Sequence, residues 1–279
     1  MNQPFEFSHA ILRRPGRSVV KGLRAGNGPD PRFEDVVAEH SGYAAALVDA
    51  GLVLTMLEPL EDFPDAIFVE DPALVFPQGA IVLKPGAPSR AGEGAILRPA
   101  LEEKFEQVLD LPRGHADGGD VLVLRDRVLI GLSARTDRIG AEALVVLLHK
   151  LGFRADVVET PPGVLHLKTA SSLLDEQTVL ATSALARTGI FAGYDVIEAP
   201  AGEEGGANVL RVNDRVIAGA GHPRILDTLD KHGLHVVPLP NQAIAAIDAG
   251  FTCMSLRWCA HDAPPVIGDF GQDKLRPAV

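Results

Sequence analysis

The chain has 279 residues, 26 basic against 37 acidic side chains, a net charge of −11 and 46% hydrophobic content, enough to bury a large core and unlike a disordered segment. Its 28 glycines and 21 prolines are spread without a period, which excludes collagen-like and low-complexity organisation and implies many short turns. No Lys/Arg block offers a nucleic-acid partner its counterion release, and no 18-residue apolar stretch or apolar leader appears, so neither nucleic acid nor membrane is expected and the location is expected to be cytoplasmic.

In chain order, Asp30-Pro31 places proline at a first helical turn, and the helix that follows ends at Gly51 before the strand-like LVLTMLEP. DPALVFPQGAIVLKPG, from Asp71, has strand-turn-strand character, and KFEQVLDLP, ending near Pro112, is a degraded helix-to-strand passage. DVLVLRDRVLIG, Asp120 to Gly131, is a hairpin with a polar Asp-Arg turn. From Thr136 to Gly152, Leu144, Leu147, Leu148 and Leu151 fall on one helical face, with Thr136 placed to cap the start and Gly152 at the C′ position. SSLLDEQTVLATS from Ser171 and FAGYDVIEAP around Gly193 continue the pattern. NVLRVNDRVIAG, Asn208 to Gly219, matches the Asp120 hairpin, and His222-Pro223 opens a helix that ends at Gly233 before HVVPLP.

The glycines that close these helices are spaced 101, 41 and 40 residues apart, and the long interval has room for the degraded unit. The count is therefore five ββαβ units. Units of this size cannot bury their faces alone; they stack or close radially and leave an axial cavity where strand ends converge. The last apolar strand is DAGFTCMSLRW. After Trp258 the run has prolines and glycines but no periodicity, so 1–258 is expected to be one domain and 259–279 an extension or tail.

Only two cysteines occur, Cys253 and Cys259, too few for a disulfide framework and too close for a zinc ribbon, which points to a reducing compartment. A free cysteine is more often structural than reactive. Cys253, however, follows an Asp-Ala-Gly turn at the start of the last strand, where an axial site would lie. His166, in PPGVLHLKTASS just after a turn, is the kind of partner a thiol nucleophile needs near neutral pH. Two acidic clusters accompany them, FPDAIFVEDP with Asp65, Glu70 and Asp71, and HADGGDVL with Asp117 and Asp120. No HxxEH, DxDxDG or paired-His pattern supports a metal, and GAG at 219–221 lacks the rest of a dinucleotide fingerprint, so no cofactor is expected. Carboxylates together with Arg90 and Arg135 suit a zwitterion that has a cationic end and a carboxylate end.

The ordered set FPDAIFVEDP, KPGAPSR, DGGDVL, GLSART, VLHLKT, GGAN and DAGFTCMSLRW resembles the dimethylarginine dimethylaminohydrolases of the guanidino-group-modifying superfamily, from about His9 to Trp258. That resemblance implies a five-bladed pseudo-symmetric α/β-propeller of ββαβ modules with a central active site. It also implies Cys253 as nucleophile, His166 as general acid and base, and Asp117 as the carboxylate that orients His166. Asp65, Glu70 and Asp71 would hold the guanidinium side, and Arg90 and Arg135 the substrate carboxylate. Leu23, with backbone near Ile247 and Asp248, would serve the α-amino end and a lid formed by RAGNGPDP.

The implied reaction is cofactor-free hydrolysis of asymmetric dimethylarginine or monomethylarginine to citrulline plus dimethylamine or methylamine, through an S-alkylthiouronium on Cys253. A deiminase of arginine or another small guanidino compound is the nearest alternative, since one methyl group changes binding by only about 1–3 kcal/mol. The added helical or loop segments of known arginine deiminases are missing here, which favours the methylarginine enzyme. A non-catalytic ligand-binding propeller is the alternative of another class, and the intact Cys253, His166 and Asp117 set speaks against it. The assembly is expected to be a monomer or homodimer.

Overall fold

The structure is a computed structural model that describes residues 3–26 and 28–260. Its strands form five three-stranded sheets. Sheet one contains β1 (His9–Arg13), followed by α1 (Phe33–Asp49) and β2 (Val53–Leu57). Sheet two is β3 (Ala73–Phe76) and β4 (Gly79–Val82), then α2 (Glu93–Glu102) and β5 (Val108–Asp110). Sheet three is β6 (Val121–Val123) and β7 (Val128–Leu132), then α3 (Arg138–Lys150) and β8 (Ala155–Glu159). In sheet four β9 (Ser171–Leu173) and β10 (Thr178–Ala181) precede α4 (Ser183–Ala186) and β11 (Asp195–Glu198). In sheet five β12 (Leu210–Val212) and β13 (Arg215–Gly219) precede α5 (Pro223–Lys231) and β14 (His235–Leu239). The chain then runs through α6 (Gln242–Ala245) to β15 (Leu256–Trp258).

Sheets two to five each join an antiparallel hairpin to a parallel third strand through a helix, which is the ββαβ unit of the sequence. Sheet one departs from that order. Its antiparallel strand is β15, from the far end of the chain, paired His9 to Trp258 and Ile11 to Leu256, while β1 runs parallel to β2. The expected 259–279 extension lies outside the described residues except for Cys259 and Ala260.

The middle strand of each sheet sends alternate side chains to opposite faces, as a period of two requires, and both faces are buried. Ala10 and Leu12 enter one apolar cluster and Ile11 another. Val128 and Ile130 pack against sheet two, whereas Leu129 packs against sheet four. Five clusters result, each shared by two consecutive sheets, and the one holding Ile217 of sheet five also holds Ala10 of sheet one. A fully buried aliphatic side chain of this kind contributes about 1.5–3 kcal/mol.

Two helix starts differ from the sequence expectation. Asp137, not Thr136, caps α3, its side chain accepting from the Gly140 N–H at 2.7 Å; the Thr136 hydroxyl is instead committed to Asp120. Pro31 stands outside α1, whose N-cap is Arg32. The glycines that marked the repeat, Gly51, Gly152, Gly193 and Gly233, all have positive φ, from 74° to 93°, which is why a side chain is avoided there. No helix among the described residues is long and apolar enough to cross a membrane.

Candidate active site

Ten of the eleven residues given a site role by the resemblance line one pocket of about 160 Å³, together with Arg24, Ala25, Phe68, Leu165 and Ala249. The pocket is built from the segments between strands. His166 is an extended residue before a 3-10 turn, where its N–H donates to Thr169 Oγ1 at 2.9 Å and the Thr169 hydroxyl donates back to the His166 carbonyl at 2.6 Å. This reciprocal pair fixes the backbone from which the imidazole projects. Its Nε2 lies 3.1 Å from Asp117 Oδ2, and Asp117 Oδ1 accepts from the Gly86 N–H at 2.7 Å.

Asp120, the second acid of the Asp-Gly-Gly-Asp run, completes the mount. Its Oδ1 accepts from the Leu167 N–H at 3.0 Å, and its Oδ2 from the hydroxyls of Ser133 and Thr136 at 2.6 and 2.7 Å. The two glycines between these acids are required by close approach. A Cβ on Gly118 would lie 2.0 Å from the Glu70 carbonyl, and one on Gly119 2.9 Å from the His166 ring and from Asp71 Oδ1.

Cys253 sits in a turn just before β15, its N–H directed to the Gly250 carbonyl at 3.3 Å. The carboxylates beside it are held firmly. Asp71 accepts from the Gly119 N–H at 3.0 Å and from Arg90 Nη1; Asp65 accepts from the Leu23 N–H at 2.9 Å. Arg90 is buried with every nitrogen engaged: Nε on Glu93 at 3.0 Å, Nη2 on Glu93 and the Phe68 carbonyl at 2.7 and 2.9 Å, Nη1 on Asp71. Arg135 is different. Half-buried at the pocket wall, its guanidinium makes no hydrogen bond among the described residues. At the mouth Asp248, at φ 55°, accepts from the Ala25 N–H, which ties the 22–26 loop to the turn after α6.

Glu70 is the residue the structure places elsewhere. It lies outside the pocket lining, and its Oε1 is buried against Lys168 Nζ at 2.6 Å and Arg257 Nη2 at 3.1 Å. Its backbone N–H donates to the Cys253 carbonyl at 3.2 Å, so Glu70 supports the Cys253 turn from behind. The adjacent acid, Asp71, points into the pocket instead. Asp120, part of the HADGGDVL cluster, closes the Asp-Gly-Gly-Asp run, whereas Lys168 is marked in the sequence only by standing two residues after His166.

Electrostatics set the resting protonation. Burial alone would lower His166, but the hydrogen bond to Asp117 and the charges of Asp71 and Asp120 outweigh it and raise its pKa to about 9. Burial pushes the Cys253 thiol up to about 12, with Glu70 and Asp71 adding to it. Burial opposes ionisation of Asp71 too, yet Arg90 and His166 hold it below the usual carboxylate range, whereas in Asp65 burial wins and raises it. Among the described residues, Asp71, Asp117 and His166 bring metal-ligand atoms within 4.8 Å of one another. Each already has a protein partner, Arg90 and Gly119 for Asp71, Gly86 for Asp117, and Asp117 for His166. The arrangement suits a thiol attack on a cationic carbon, with an acid-base group alongside.

A family model described as arginine deiminase matches residues 55–204. The N(G),N(G)-dimethylarginine dimethylaminohydrolase of Pseudomonas aeruginosa is 36% identical over 256 residues, 90% of this chain and 100% of that protein. The structure of a cysteine-to-serine variant of the Pseudomonas aeruginosa enzyme, complexed with citrulline, superposes with a TM-score of 0.88 at 36% identity, covering 91% of this chain and 100% of that one. A histidine-to-glycine variant of dimethylarginine dimethylaminohydrolase, in an adduct with S-methyl-L-thiocitrulline, gives 0.86 at 36% identity, over 90% and 99% of the two chains. Fold, pocket and these relatives together define a class, the hydrolases that act on C–N bonds of amidines. Within that class, the chain belongs to the dimethylarginine dimethylaminohydrolase family.

Proposed function

We propose that the protein hydrolyses N-ω-methylated arginines, asymmetric dimethylarginine and monomethylarginine, to citrulline plus dimethylamine or methylamine. The observation that carries this is the convergence of Cys253, the Asp117-bound His166, the carboxylates Asp65 and Asp71, and the unengaged Arg135 on one pocket. The relatives that bind citrulline and a thiocitrulline adduct support the same product and a covalent route.

In this scheme Arg135 takes the substrate carboxylate, and Leu23 with the backbone at Ile247 and Asp248 receives the α-amino end. Arg90, which the resemblance pairs with Arg135 on the substrate carboxylate, has every nitrogen committed within the protein and is assigned instead to keeping Asp71 and Asp65 aligned against the guanidinium plane. The free enzyme at neutral pH holds a thiol and an imidazolium. A guanidinium against Sγ stabilises the thiolate by its charge, and the thiol proton leaves to solvent. Sγ then bonds to the guanidinium carbon, His166 gives its proton to the departing amine as the C–N bond breaks, and an S-alkylthiouronium remains. Neutral His166 next takes a proton from water, whose oxygen bonds to the same carbon. The C–S bond breaks, the hydroxyl proton of the adduct passes to the departing thiolate to restore the thiol, and citrulline leaves.

The five sheets are proposed to close around one axis into the propeller, as a single catalytic domain spanning 1–258. In support, the apolar clusters link sheets one to five in sequence and the cluster of sheet five returns to sheet one.

The test is citrulline release from asymmetric dimethylarginine, monomethylarginine and arginine in parallel, with Cys253→Ser as control. Turnover of the methylated compounds that the variant lacks is the expected result. Turnover of arginine alone would move the assignment to deiminase, and no turnover of any would overturn it.

A further inference from the structure

A second cavity among the described residues is larger than the Cys253 pocket. It lies on the other side of Glu70 and holds about 650 Å³, well inside the size range of small-molecule sites. The strand β15 and the first strand of each hairpin, β3, β6, β9 and β12, all contribute to its wall, as do Phe5 and Phe7. It is thus lined by strands from all five sheets. A wall of three charged side chains, Glu70 with Lys168 and Arg257, separates it from the nucleophile.

Six Lys or Arg side chains line this cavity against three carboxylates, in a chain whose net charge is −11. Arg125, Arg127 and Arg154 have carboxylates within 4 Å. Two others have unspent donors. Arg211 lies over the Phe5 ring, 5.1 Å from its centroid, and donates from Nε to the Asn213 carbonyl, while Nη1 and Nη2 make no hydrogen bond among the described residues. Arg257 lies over Phe7 at 5.7 Å and spends Nη1 on Thr252 and Ser255 and Nη2 on Glu70, but its Nε is buried without an acceptor. A buried donor without an acceptor costs stability, a cost that an acceptor supplied from the cavity would relieve while Nη1 and Nη2 stay in place. The rest of the wall is largely apolar, from Leu74 and Val75 on β3 to Val123 on β6.

We propose that this cavity is a second ligand site, separate from the Cys253 pocket, for a small organic anion with an apolar body. The anionic head meets Arg211 and Arg257, and the body packs on Phe5, Phe7 and the apolar strand residues. Guanidinium groups already stacked on aromatic rings are preorganised for such a head, because their planes are held before the ligand arrives.

The probe is 8-anilinonaphthalene-1-sulfonate, an anion with an aromatic body, titrated into the full chain and followed by fluorescence and calorimetry. One saturable site is expected, with Kd raised tenfold or more by Arg211→Glu, which reverses the head-binding charge, and by Val123→Trp, which fills the cavity. Arg135→Gln, in the other pocket, is expected to change Kd less than twofold. Thermal melts establish that each variant folds, and two independent variants guard against the loss of either. Absence of saturable binding to the unmodified chain overturns the proposal, and so does binding that both cavity variants leave within twofold. The readout is binding, not turnover, so it stands or falls apart from the hydrolase assignment.

Discussion

Replacing Asp117 by Asn isolates the charge that holds His166 protonated. The substitution keeps an oxygen for the Gly86 N–H, 2.7 Å away, but removes the anion 3.1 Å from His166 Nε2. With the largest remaining influence on the imidazole being its burial, which lowers its pKa, the value is expected to fall well below about 9. At pH 8 the native imidazole is protonated by about ten to one; in the variant it is mostly neutral. The general acid is then missing, and kcat for asymmetric dimethylarginine falls by about 10² to 10⁴.

The same change has a stability signature. A folded pKa raised to about 9 from 6.5 contributes stability that is fully present below pH 6.5 and is lost as pH rises through 9. At about 1.4 kcal/mol per pH unit the contribution reaches about 3 kcal/mol. Urea unfolding of both proteins at pH 6 and pH 10 is therefore expected to show a large difference at pH 6 that shrinks at pH 10. NMR titration of the His166 ring reads the pKa directly. A shift under half a unit in the variant, with an unfolding difference independent of pH, would refute the electrostatic account.

Arg135→Gln is expected to raise KM for the methylated substrate about 10- to 100-fold with a smaller change in kcat, as steady-state kinetics will read, because its guanidinium has no structural partner among the described residues. Arg90→Met acts on the fold instead: it leaves Asp71 and Glu93 buried without their cation, at a cost of about 3–5 kcal/mol in urea denaturation. Gly119→Ala puts a methyl group 2.9 Å from the His166 ring and from Asp71. It should cost about 1–3 kcal/mol and most of the turnover, measured by melting and by citrulline assay. Treatment with a chelator followed by dialysis leaves citrulline release unchanged; a loss restored by a divalent cation would show that the Asp71, Asp117 and His166 cluster works with a metal.

Much of the fold was legible because it repeats. Hairpins with Asp-Arg turns and glycines after amphipathic helices are local signals, and each corresponds to an observed element except at Gly193, which stands in a turn seven residues beyond the short α4 and closes no helix. The pairing of β15 with β1 was not, since strands separated by almost the whole chain leave no local trace. Thr136 was misassigned for a related reason: Thr and Asp are both good caps, and only the distant Asp120 decides which of the two neighbours is free. In the site, the DGGD run was readable as unusual, yet its glycines are explained only by the approach of Glu70 and His166 from other segments. Glu70 and Asp71 are adjacent acids, yet one is built into the wall with Lys168 and Arg257 and the other faces the Cys253 pocket, which no composition rule separates.

The split first sheet also sets an order of events during synthesis. A growing chain can complete sheets two to five, and with them the Asp117–His166 pair, while β1 still lacks one neighbour. Its missing partner is among the last strands to be made, and Cys253 arrives only three residues ahead of it. Until then the edge of β1 is open to pairing with another chain, a hazard that emergence of β15 ends. The same few residues that seal the first sheet bring the thiol to its place, so a nascent chain can fold over most of its length before the proposed nucleophile joins it.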